Sequence, residues 1–216
     1  MPAVHSIAAL SRTPIDIEDD RITPIAVDLT DESSIEQAVG ETESMAPFDL
    51  VVIASGILHE ANGLQPEKTL KDMSYASMTS VLAVNTIGPA ILSARLLPLL
   101  RRGRKSALAM LSARVGSIAD NRLGGWTSYR ASKAALNMVV KTYAIEQARR
   151  NPDCAIIALH QGTVATDLSA PFSKRVPPGK LFDTGDAVRK MIDVIDRVDA
   201  ADSGGFFAWD GSRIEF

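Results

Sequence analysis

A tyrosine and a lysine lie four residues apart in the segment TSYRASKAAL, residues 127–136. Positions i and i+4 of an α-helix share one face, so the Tyr129 phenol and the Lys133 ammonium would be neighbours on a helix. A phenol has an unperturbed pKa of about 10, and an adjacent positive charge favours the phenolate. The spacing therefore indicates a general acid or base that works near neutral pH. The alternative is a core tyrosine beside a lysine that extends to water.

Two more polar residues occupy positions from which they could take part in the same chemistry. Ser112 ends the apolar strand ALAML, and ligands of open α/β sheets bind at the carboxyl ends of strands. Its hydroxyl can donate a hydrogen bond to a carbonyl oxygen. Asn85 lies four residues before Pro89, which has no amide hydrogen, so the Asn85 carbonyl would lose its helical partner and become free for water. The alternative is that Pro89 only kinks the helix.

The elements that would position these residues alternate along the chain. Short apolar runs predict strands at 6–10, 23–27, 49–54, 106–111, 154–160 and 205–209. Helical spacing predicts helices at 31–43, 76–100, 128–149 and 186–198. Strands such as LVVIA and AIIAL are almost entirely apolar, which is typical of a parallel sheet covered on both faces. The pattern predicts an α/β sandwich of three layers.

Composition limits the classes of protein that fit. The chain has 216 residues, 46% of them hydrophobic, which suits one domain over 1–216. A net charge of −3 gives no electrostatic reason to expect nucleic acid, and the single cysteine, Cys154, cannot form an intrachain disulfide. His5, His59 and His160 show no metal-ligand spacing, so no metal is expected. With no long apolar run and no leader pattern, we expect a cytoplasmic protein that does not enter a membrane.

Two of the predicted helices, 76–100 and 128–149, carry apolar or small residues on more than one face. The sheet covers only one face of a helix, so a second surface should cover the rest. We expect a homodimer or homotetramer formed through these two helices. The alternative is that neighbouring loops cover them.

Asn85 in VNTIG, Ser112 in MLSARVGSI, and Tyr129 and Lys133 in SYRASKAAL together resemble the short-chain dehydrogenase/reductase family. The resemblance implies a Rossmann-like, doubly wound parallel sheet and an NADP(H)-dependent interconversion of a carbonyl and an alcohol. It implies that Tyr129 exchanges the proton at the substrate oxygen and that Lys133 lowers its pKa and holds the nicotinamide ribose. Ser112 would orient a small carbonyl or alcohol substrate, and the Asn85 carbonyl would hold a relay water.

The resemblance also implies where the cofactor binds. Ser11 and Arg12 follow the first predicted strand, and pairing of Arg12 with a 2′-phosphate would favour NADP over NAD; an exposed arginine is the alternative. Asp28 follows the second strand, where the family's aspartate meets the adenine; a helix N-cap is the alternative. The remaining cofactor residues lie in two loops after later strands: Ala54, Ser55 and Gly56, and Gly162, Val164 and Thr166.

The resemblance begins after the family's opening strand, glycine-rich turn and helix, because no TGxxxGxG pattern is present and the first glycine is Gly40. The family's absent strand is the central one, so a gap or a re-pairing is expected in the sheet. A second function is therefore open: a catalytically silent, dimeric interaction or ligand-binding protein that does not hold the dinucleotide. Trp126, Phe172 and Phe182 are candidate walls of a substrate pocket, and 170–184 is a candidate lid; ordinary packing is the alternative for all of them.

Overall fold

The strands of the computed structural model form separate parallel sheets rather than one. The structure describes residues 4–13, 15–60, 63–175 and 179–216. Its eight strands in these ranges are β1 (Ile7–Ser11), β2 (Ile22–Ala26), β3 (Leu50–Ile53), β4 (Ser106–Ser112), β5 (Cys154–His160), β6 (Thr163–Val164), β7 (Leu181–Phe182) and β8 (Phe206–Ala208). All six strands expected from the sequence are present, and the short pair β6 and β7 was not expected.

Two of the sheets correspond to the predicted one. β1 pairs with β2, and a four-stranded sheet has the order β3-β4-β5-β8, all pairs being parallel. Ser112 at the end of β4 is in register with His160 at the end of β5. This register brings the loops after β4 and β5 to one edge, where the candidate site lies.

Helices lie on both faces of these sheets. They are α1 (Glu32–Thr42), α2 (Tyr75–Leu82), α3 (Gly88–Leu96), α4 (Thr127–Arg150) and α5 (Thr184–Arg197). Residues of α1, α3 and α4 pack with β1, β2, β3, β4, β5 and β8 in one core, whereas α5 packs on the opposite face of β4, β5 and β8. The protein therefore has a helix–sheet–helix arrangement of three layers.

The sheet has a gap between β1 and β3. Among the described residues, β1 pairs only with β2, and β3 pairs only with β4. Apolar side chains remain exposed on these strands, with Ile7 38% and Val52 43% accessible. The interruption expected from the sequence is thus a gap and not a re-pairing, and the shared layer of α1, α3 and α4 connects the two parts.

The predicted helix 76–100 is present as one helical stretch but is not α-helical throughout. α2 ends at Leu82, a π-helical turn covers Ala83–Ile87, and α3 begins at Gly88 with Pro89 in its first turn. The π-helical turn directly before Pro89 agrees with the missing amide hydrogen of proline, since an amide-free residue cannot continue the regular ladder.

The helical stretch Tyr75–Leu99 also corrects one expectation. Within the described residues it is long and apolar enough, by length and composition, to span a membrane, although the sequence analysis found no such run. Half of its most apolar 18-residue window is buried inside the protein. Its contacts with α1 and α4 explain this composition, because a helix packed between neighbours is apolar on several faces.

The candidate lid is anchored at its C-terminal end. A 3-10 turn covers Ala170–Arg175, and β7 pairs with β6 so that Leu181 lies opposite Thr163. Residues 176–178 of the candidate lid lie outside the described residues. The pairing ties the lid to the loop that carries Val164.

Candidate active site

Helix α4 begins with an unusual turn that sets the position of Tyr129. Its N-cap residue, Trp126, has a left-handed backbone with φ of 53°, and its side chain makes no capping hydrogen bond. The Trp126 N–H donates to the Glu67 carbonyl at 2.6 Å. The Glu67 carboxylate accepts from the Ser128 N–H at 3.2 Å and from the Ser128 hydroxyl. A residue distant in sequence therefore caps the helix that carries the tyrosine.

Tyr129 and Lys133 lie together on the buried face of α4. Tyr129 is 8% exposed and Lys133 is 3% exposed, and the Lys133 Nζ lies 5.9 Å from the centre of the tyrosine ring. Burial raises the pKa of Tyr129 to about 12 and lowers the pKa of Lys133 to about 8. This differs from the expected lowering of the Tyr129 pKa, because removal from water disfavours the phenolate.

The Lys133 ammonium is held among backbone groups. Its Nζ donates to the Leu111 carbonyl at 2.9 Å, one residue before Ser112. It also borders Gly56, where a Cβ would lie 3.3 Å from Nζ and 3.5 Å from the Asn85 Oδ1. Lys133, Asn85 and the turn after β3 therefore meet at one point of the site.

Asn85 is fully buried in the π-helical turn, and its side chain links three elements. Its Oδ1 accepts from the Ile57 N–H at 2.7 Å, and its Nδ2 donates to the Ile57 carbonyl at 2.9 Å and to the Ser132 Oγ at 3.1 Å. These bonds fix the loop after β3 against α4. The role of the Asn85 carbonyl in holding water stays a prediction.

Ser112 is buried at the end of β4 and donates to the Asn137 Oδ1 at 2.7 Å. The Asn137 Nδ2 lies 3.4 Å from the Gly116 carbonyl, so Asn137 joins the serine to the loop after β4. Asn137 lies one turn after Lys133 on α4. The hydroxyl that would orient a substrate is therefore itself held by the helix that carries Tyr129.

Two of the three candidate aromatic walls lie near the tyrosine. The rings of Trp126 and Tyr129 are 6.4 Å apart, and those of Trp126 and Phe172 are 4.9 Å apart. Phe182 packs instead on Trp209, at 4.8 Å between ring centres. The apolar wall beside Tyr129 thus consists of Trp126 and Phe172, while Phe182 supports the loop after β5.

The predicted adenine-side residues lie on the two-stranded sheet. Ser11 ends β1, Arg12 is exposed immediately after it, and Asp28 follows β2. Hydrogen bonds from Thr30 lower the pKa of Asp28, and the nearby Arg12 charge lowers it further. The N-cap alternative for Asp28 is wrong, because α1 is capped by Asp31, which accepts from the Ser33 N–H.

The loop after β5 contains the remaining predicted cofactor residues. Gly162 has φ of 78°, and a Cβ there would lie 2.7 Å from the Phe182 ring, so both conformation and space require glycine. Val164 lies in β6, and the exposed Thr166 accepts at its backbone carbonyl from Ser169. The packing on Phe182 fixes this loop at the edge of the four-stranded sheet.

The three histidines are not grouped. His160 is mostly buried at the end of β5, and burial lowers its pKa to about 4, so it is neutral. His59 lies 3.2 Å from the Asp167 and Leu168 carbonyls, and its ring contacts Phe172. In the part of the chain that the structure describes, no cluster of three or more His, Cys, Asp or Glu side chains could hold a metal ion.

Glu67 and Asn137 are site residues that the sequence analysis missed. Each acts through another residue. Glu67 comes from a segment with no recognisable spacing relative to Tyr129, whereas Asn137 lies eight residues after Tyr129 on the same helix, a spacing that could have indicated it. One signal existed for the turn that Glu67 holds, since Gly124 and Gly125 directly precede Trp126 and both have positive φ. A glycine pair before a helix indicates an irregular entry into it.

Fold and site together define an α/β protein of the Rossmann type with a buried Tyr–Lys pair. The family model described as short chain dehydrogenase matches residues 5–177, and the chain belongs to this family. It is 36% identical to the C-signal of Myxococcus xanthus over 168 residues, which cover 78% of this chain and 92% of that protein.

Other relatives and a solved structure agree with this assignment. The chain is 31% identical over 195 residues to the 1-hydroxy-2-glutathionyl-2-methyl-3-butene dehydrogenase of Rhodococcus sp. strain AD45, covering 88% of this chain and 78% of that protein. The NADPH-bound carbonyl reductase from chicken fatty liver superposes with a TM-score of 0.82 at 24% identity, covering 98% of this chain and 88% of that one. The protein is thus an oxidoreductase by family, with a Rossmann-like fold.

Two features of the structure fit the nicotinamide dinucleotide that the family implies. The absence of a Cβ at Gly56 leaves the backbone open beside the Lys133 Nζ and the Asn85 Oδ1. Next to it, the Ser55 hydroxyl is buried and has no hydrogen-bond partner among the described residues. A turn with a free polar group beside a buried ammonium suits the hydroxyl-rich ribose of a dinucleotide.

Proposed function

We propose that this protein is an NADP(H)-dependent oxidoreductase that interconverts a carbonyl and an alcohol on a small substrate. The buried Tyr129–Lys133 pair carries this proposal, because it places a proton donor beside an ammonium at the edge of the sheet. NADP(H) would be held by Arg12 and Asp28 on one side and by Ser55, Gly56 and Lys133 on the other. When bound, the cofactor supplies or accepts the hydride.

Further residues complete the proposed cofactor site. Ser11 and Ala54 lie at or just beyond the ends of β1 and β3. Gly162, Val164 and Thr166 would border the nicotinamide from the loop after β5. The exposed Arg12 favours NADP over NAD, because a guanidinium pairs with a 2′-phosphate that only NADP carries.

The protein groups would act on the substrate oxygen. Because the pKa of Tyr129 is about 12, the phenol keeps its proton at neutral pH and can donate it to a carbonyl oxygen. Ser112 would orient that oxygen by turning its single hydroxyl hydrogen from the Asn137 Oδ1 to the substrate, and Lys133 would stabilise the phenolate left on Tyr129. Trp126 and Phe172 would exclude water beside the reacting oxygen and favour an apolar group on the substrate.

A carbonyl-reduction assay tests the proposal. The purified protein is mixed with NADPH or NADH and a panel of aldehydes and ketones, and loss of cofactor absorbance is followed. We expect turnover with NADPH, and a loss of about 10²-fold or more in Tyr129→Phe, because the proton donor is removed. The matched control is Tyr143→Phe on the same helix. The Tyr143 hydroxyl lies away from the site and donates to the Ala90 carbonyl at 3.1 Å.

If Tyr129→Phe and the unchanged protein reduce a carbonyl at the same rate, Tyr129 is not the proton donor. An equal loss in Tyr143→Phe would show that removing any hydroxyl from α4 disturbs the helix. Turnover with NADH and none with NADPH would contradict the role given to Arg12.

One observation, the gap between β1 and β3, favours a second function. The two parts of the proposed cofactor site lie on opposite sides of that gap. A protein whose gap prevents dinucleotide binding would be a catalytically silent, dimeric interaction or ligand-binding protein. It would bind neither NADPH nor NADH while remaining folded.

We also propose that residues 1–216 form one domain, located in the cytoplasm, that assembles as a homodimer or homotetramer. One core joins both sheets through α1, α3 and α4, which supports a single domain. On α4, Met138 is 66% exposed and Ile145 is 55% exposed, and a spacing of seven residues puts them on one face. These two exposed apolar side chains, with Lys141 and Thr142 between them on the same face, support assembly through this helix.

A further inference from the structure

We propose that Glu67 is a positioning residue that holds Tyr129 in place through the first turn of α4. The inference rests on the proposed function, in which Tyr129 is the proton donor. Glu67 lies in the loop between β3 and α2, 62 positions before the tyrosine in the sequence. It is 3% exposed, which is rare for a glutamate without a specific partner.

Glu67 contacts Trp126 and Ser128, which lie just before Tyr129 in the sequence. Its backbone carbonyl accepts from the Trp126 N–H at 2.6 Å. Its carboxylate accepts from the Ser128 N–H at 3.2 Å and, with its other oxygen, from the Ser128 hydroxyl. A single residue therefore satisfies two amide donors at the helix start and one adjacent hydroxyl.

The first turn of α4 needs such an external partner. Helix starts leave amide groups unpaired, and Ser, Thr, Asp or Asn usually caps them from the N-cap position. Here the N-cap is Trp126, which cannot accept these hydrogen bonds and has φ of 53°. A bulky residue adopts this conformation only when its surroundings hold it, and the negative carboxylate also interacts favourably with the positive end of the helix.

The turn that Glu67 holds contains the residues that lie next to Tyr129, the proposed proton donor. Ser128 is the residue before Tyr129, and the Trp126 ring lies 6.4 Å from the tyrosine ring. Trp126 in turn contacts Phe172, the second residue of the apolar wall. Release of this turn would therefore move the phenol and the apolar wall together.

A second support holds the outer side of the same turn. The Arg130 guanidinium donates to the Gly125 carbonyl at 2.9 Å and to the Gly124 and Val115 carbonyls at 3.1 Å. Arg130 fixes the loop before the helix, whereas Glu67 accepts from the Trp126 and Ser128 N–H groups at the helix start. Loss of Glu67 should therefore loosen the position of Tyr129 without unfolding α4.

Steady-state kinetics of three variants test the proposal. Glu67→Ala removes the carboxylate, Glu67→Gln keeps one acceptor oxygen, and Ser74→Ala removes the cap of α2, which binds the Ser77 N–H at 3.1 Å. We expect kcat for carbonyl reduction to fall about tenfold or more in Glu67→Ala, with KM for NADPH nearly unchanged, because displacing a catalytic group by about 1 Å can cost a factor of about 10². Glu67→Gln should recover most of that loss, and Ser74→Ala should behave like the unchanged protein.

A second measurement needs no turnover. In a Trp209→Phe background Trp126 is the remaining tryptophan, so its emission reports on the turn that Glu67 holds. We expect Glu67→Ala to shift this emission to longer wavelength and to increase its quenching by acrylamide at least twofold, with Glu67→Gln in between. If the unchanged protein shows no turnover, the proposed function fails, and this measurement alone decides the role of Glu67.

Two results would overturn the inference. One is a Glu67→Ala protein whose kcat and Trp126 quenching both equal those of the unchanged protein. The other is an equal loss of kcat in Glu67→Ala and Ser74→Ala at matched circular dichroism, which would mean that any lost helix cap has the same effect.

Discussion

Lys133 is almost completely buried although its side chain is ionisable. Burial away from water lowers the pKa of Lys133 to about 8. The only hydrogen bond described for its Nζ is to the Leu111 carbonyl. Burial of a charge without an opposite charge costs folding free energy, which proteins accept mainly at functional sites. The lysine is therefore better explained by the chemistry beside Tyr129 than by stability.

This burial makes the stability of the protein depend on pH in a defined direction. The pKa of Lys133 falls from 10.5 in the unfolded chain to about 8 in the fold, so between these values the unfolded chain binds more protons. The folding free energy lost by burying the charged Lys133 is therefore lost in full below about pH 8, and this loss disappears as the pH rises toward 10.5. Lys133→Met should thus raise the free energy of unfolding at pH 7 by up to about 3 kcal/mol, and by much less near pH 10.5.

Urea unfolding at the two pH values measures this difference. The control is Lys71→Met, which removes an exposed lysine outside the site and outside α4 and should change stability by less than about 0.5 kcal/mol. A Lys133→Met protein that is no more stable than the unchanged one at pH 7 would contradict the burial cost.

The sequence indicated the candidate catalytic residues but not the environment of their side chains. Tyr129, Lys133, Ser112 and Asn85 follow from spacing, strand ends and a family resemblance. The direction of the Tyr129 pKa shift was wrong, because desolvation depends on what packs over the phenol and not on its neighbour at i+4. Glu67 and Asn137 were missed for the same reason, since their contacts exist only in the folded chain.

At the scale of elements, the gap between β1 and β3 divides the sheet into parts of unequal support. β1 and β2 form an isolated pair, whereas β4 and β5 are paired on both sides. Two-stranded sheets are marginally stable, and locally weak units open more often than the core. Amides in the β1–β2 ladder should therefore exchange at least about 10²-fold faster than those in β4 and β5, measured by hydrogen–deuterium exchange.

Equal protection of both sheets would contradict this expectation. It would mean that α1 and α3 hold the β1–β2 pair as firmly as neighbouring strands hold β4. The same experiment with NADPH tests the cofactor site, because a ligand bound to Arg12 and Asp28 should slow exchange in this pair.

The junction of the π-helical turn and α3 is packed without space for a side chain. A Cβ at Gly88 would lie 2.6 Å from the Leu29 Cβ and closer still to the Leu29 carbonyl oxygen. Gly88→Ala should lower the free energy of unfolding by about 1–3 kcal/mol, because the helix must move away from the loop after β2. Thermal or urea unfolding measures the change.

Gly40→Ala is the matched control for this prediction. Gly40 lies in α1 with no atom within 4 Å of a built Cβ, so alanine there should stabilise the helix by about 0.5–1 kcal/mol. A Gly88→Ala protein as stable as Gly40→Ala would show that the junction adapts freely.

Element type and order were largely predictable, whereas local breaks were not. The apolar runs indicated the six main strands, and helical spacing indicated α1, α4 and α5 within a few residues. The π-helical turn at Ala83–Ile87 was only suggested by Pro89, because its geometry depends on contacts with Ile57 and Ser132. The β6–β7 pair was missed, since two-residue strands have no periodicity to detect.

For the molecule as a whole, the exposed side chains of Met138 and Ile145 on α4 predict that the protein assembles into an oligomer through this helix. Substituting glutamate for both Met138 and Ile145 should convert the oligomer to a monomer, because a charge placed in an apolar interface is costly to bury. Val188→Glu is the control, since Val188 is 52% exposed on α5, in the opposite layer. Light scattering after size-exclusion chromatography gives the mass, and a monomeric unchanged protein would contradict the prediction.

We propose above all that this chain holds NADP(H) beside the Tyr129–Lys133 pair. Calorimetric titration with NADPH and NADH is the most direct test of this binding. We expect saturable binding of NADPH, tighter than that of NADH, weakened by Arg12→Ala and by Lys133→Met but not by Lys71→Met. No binding of either dinucleotide by the folded protein would contradict the account and favour the catalytically silent alternative.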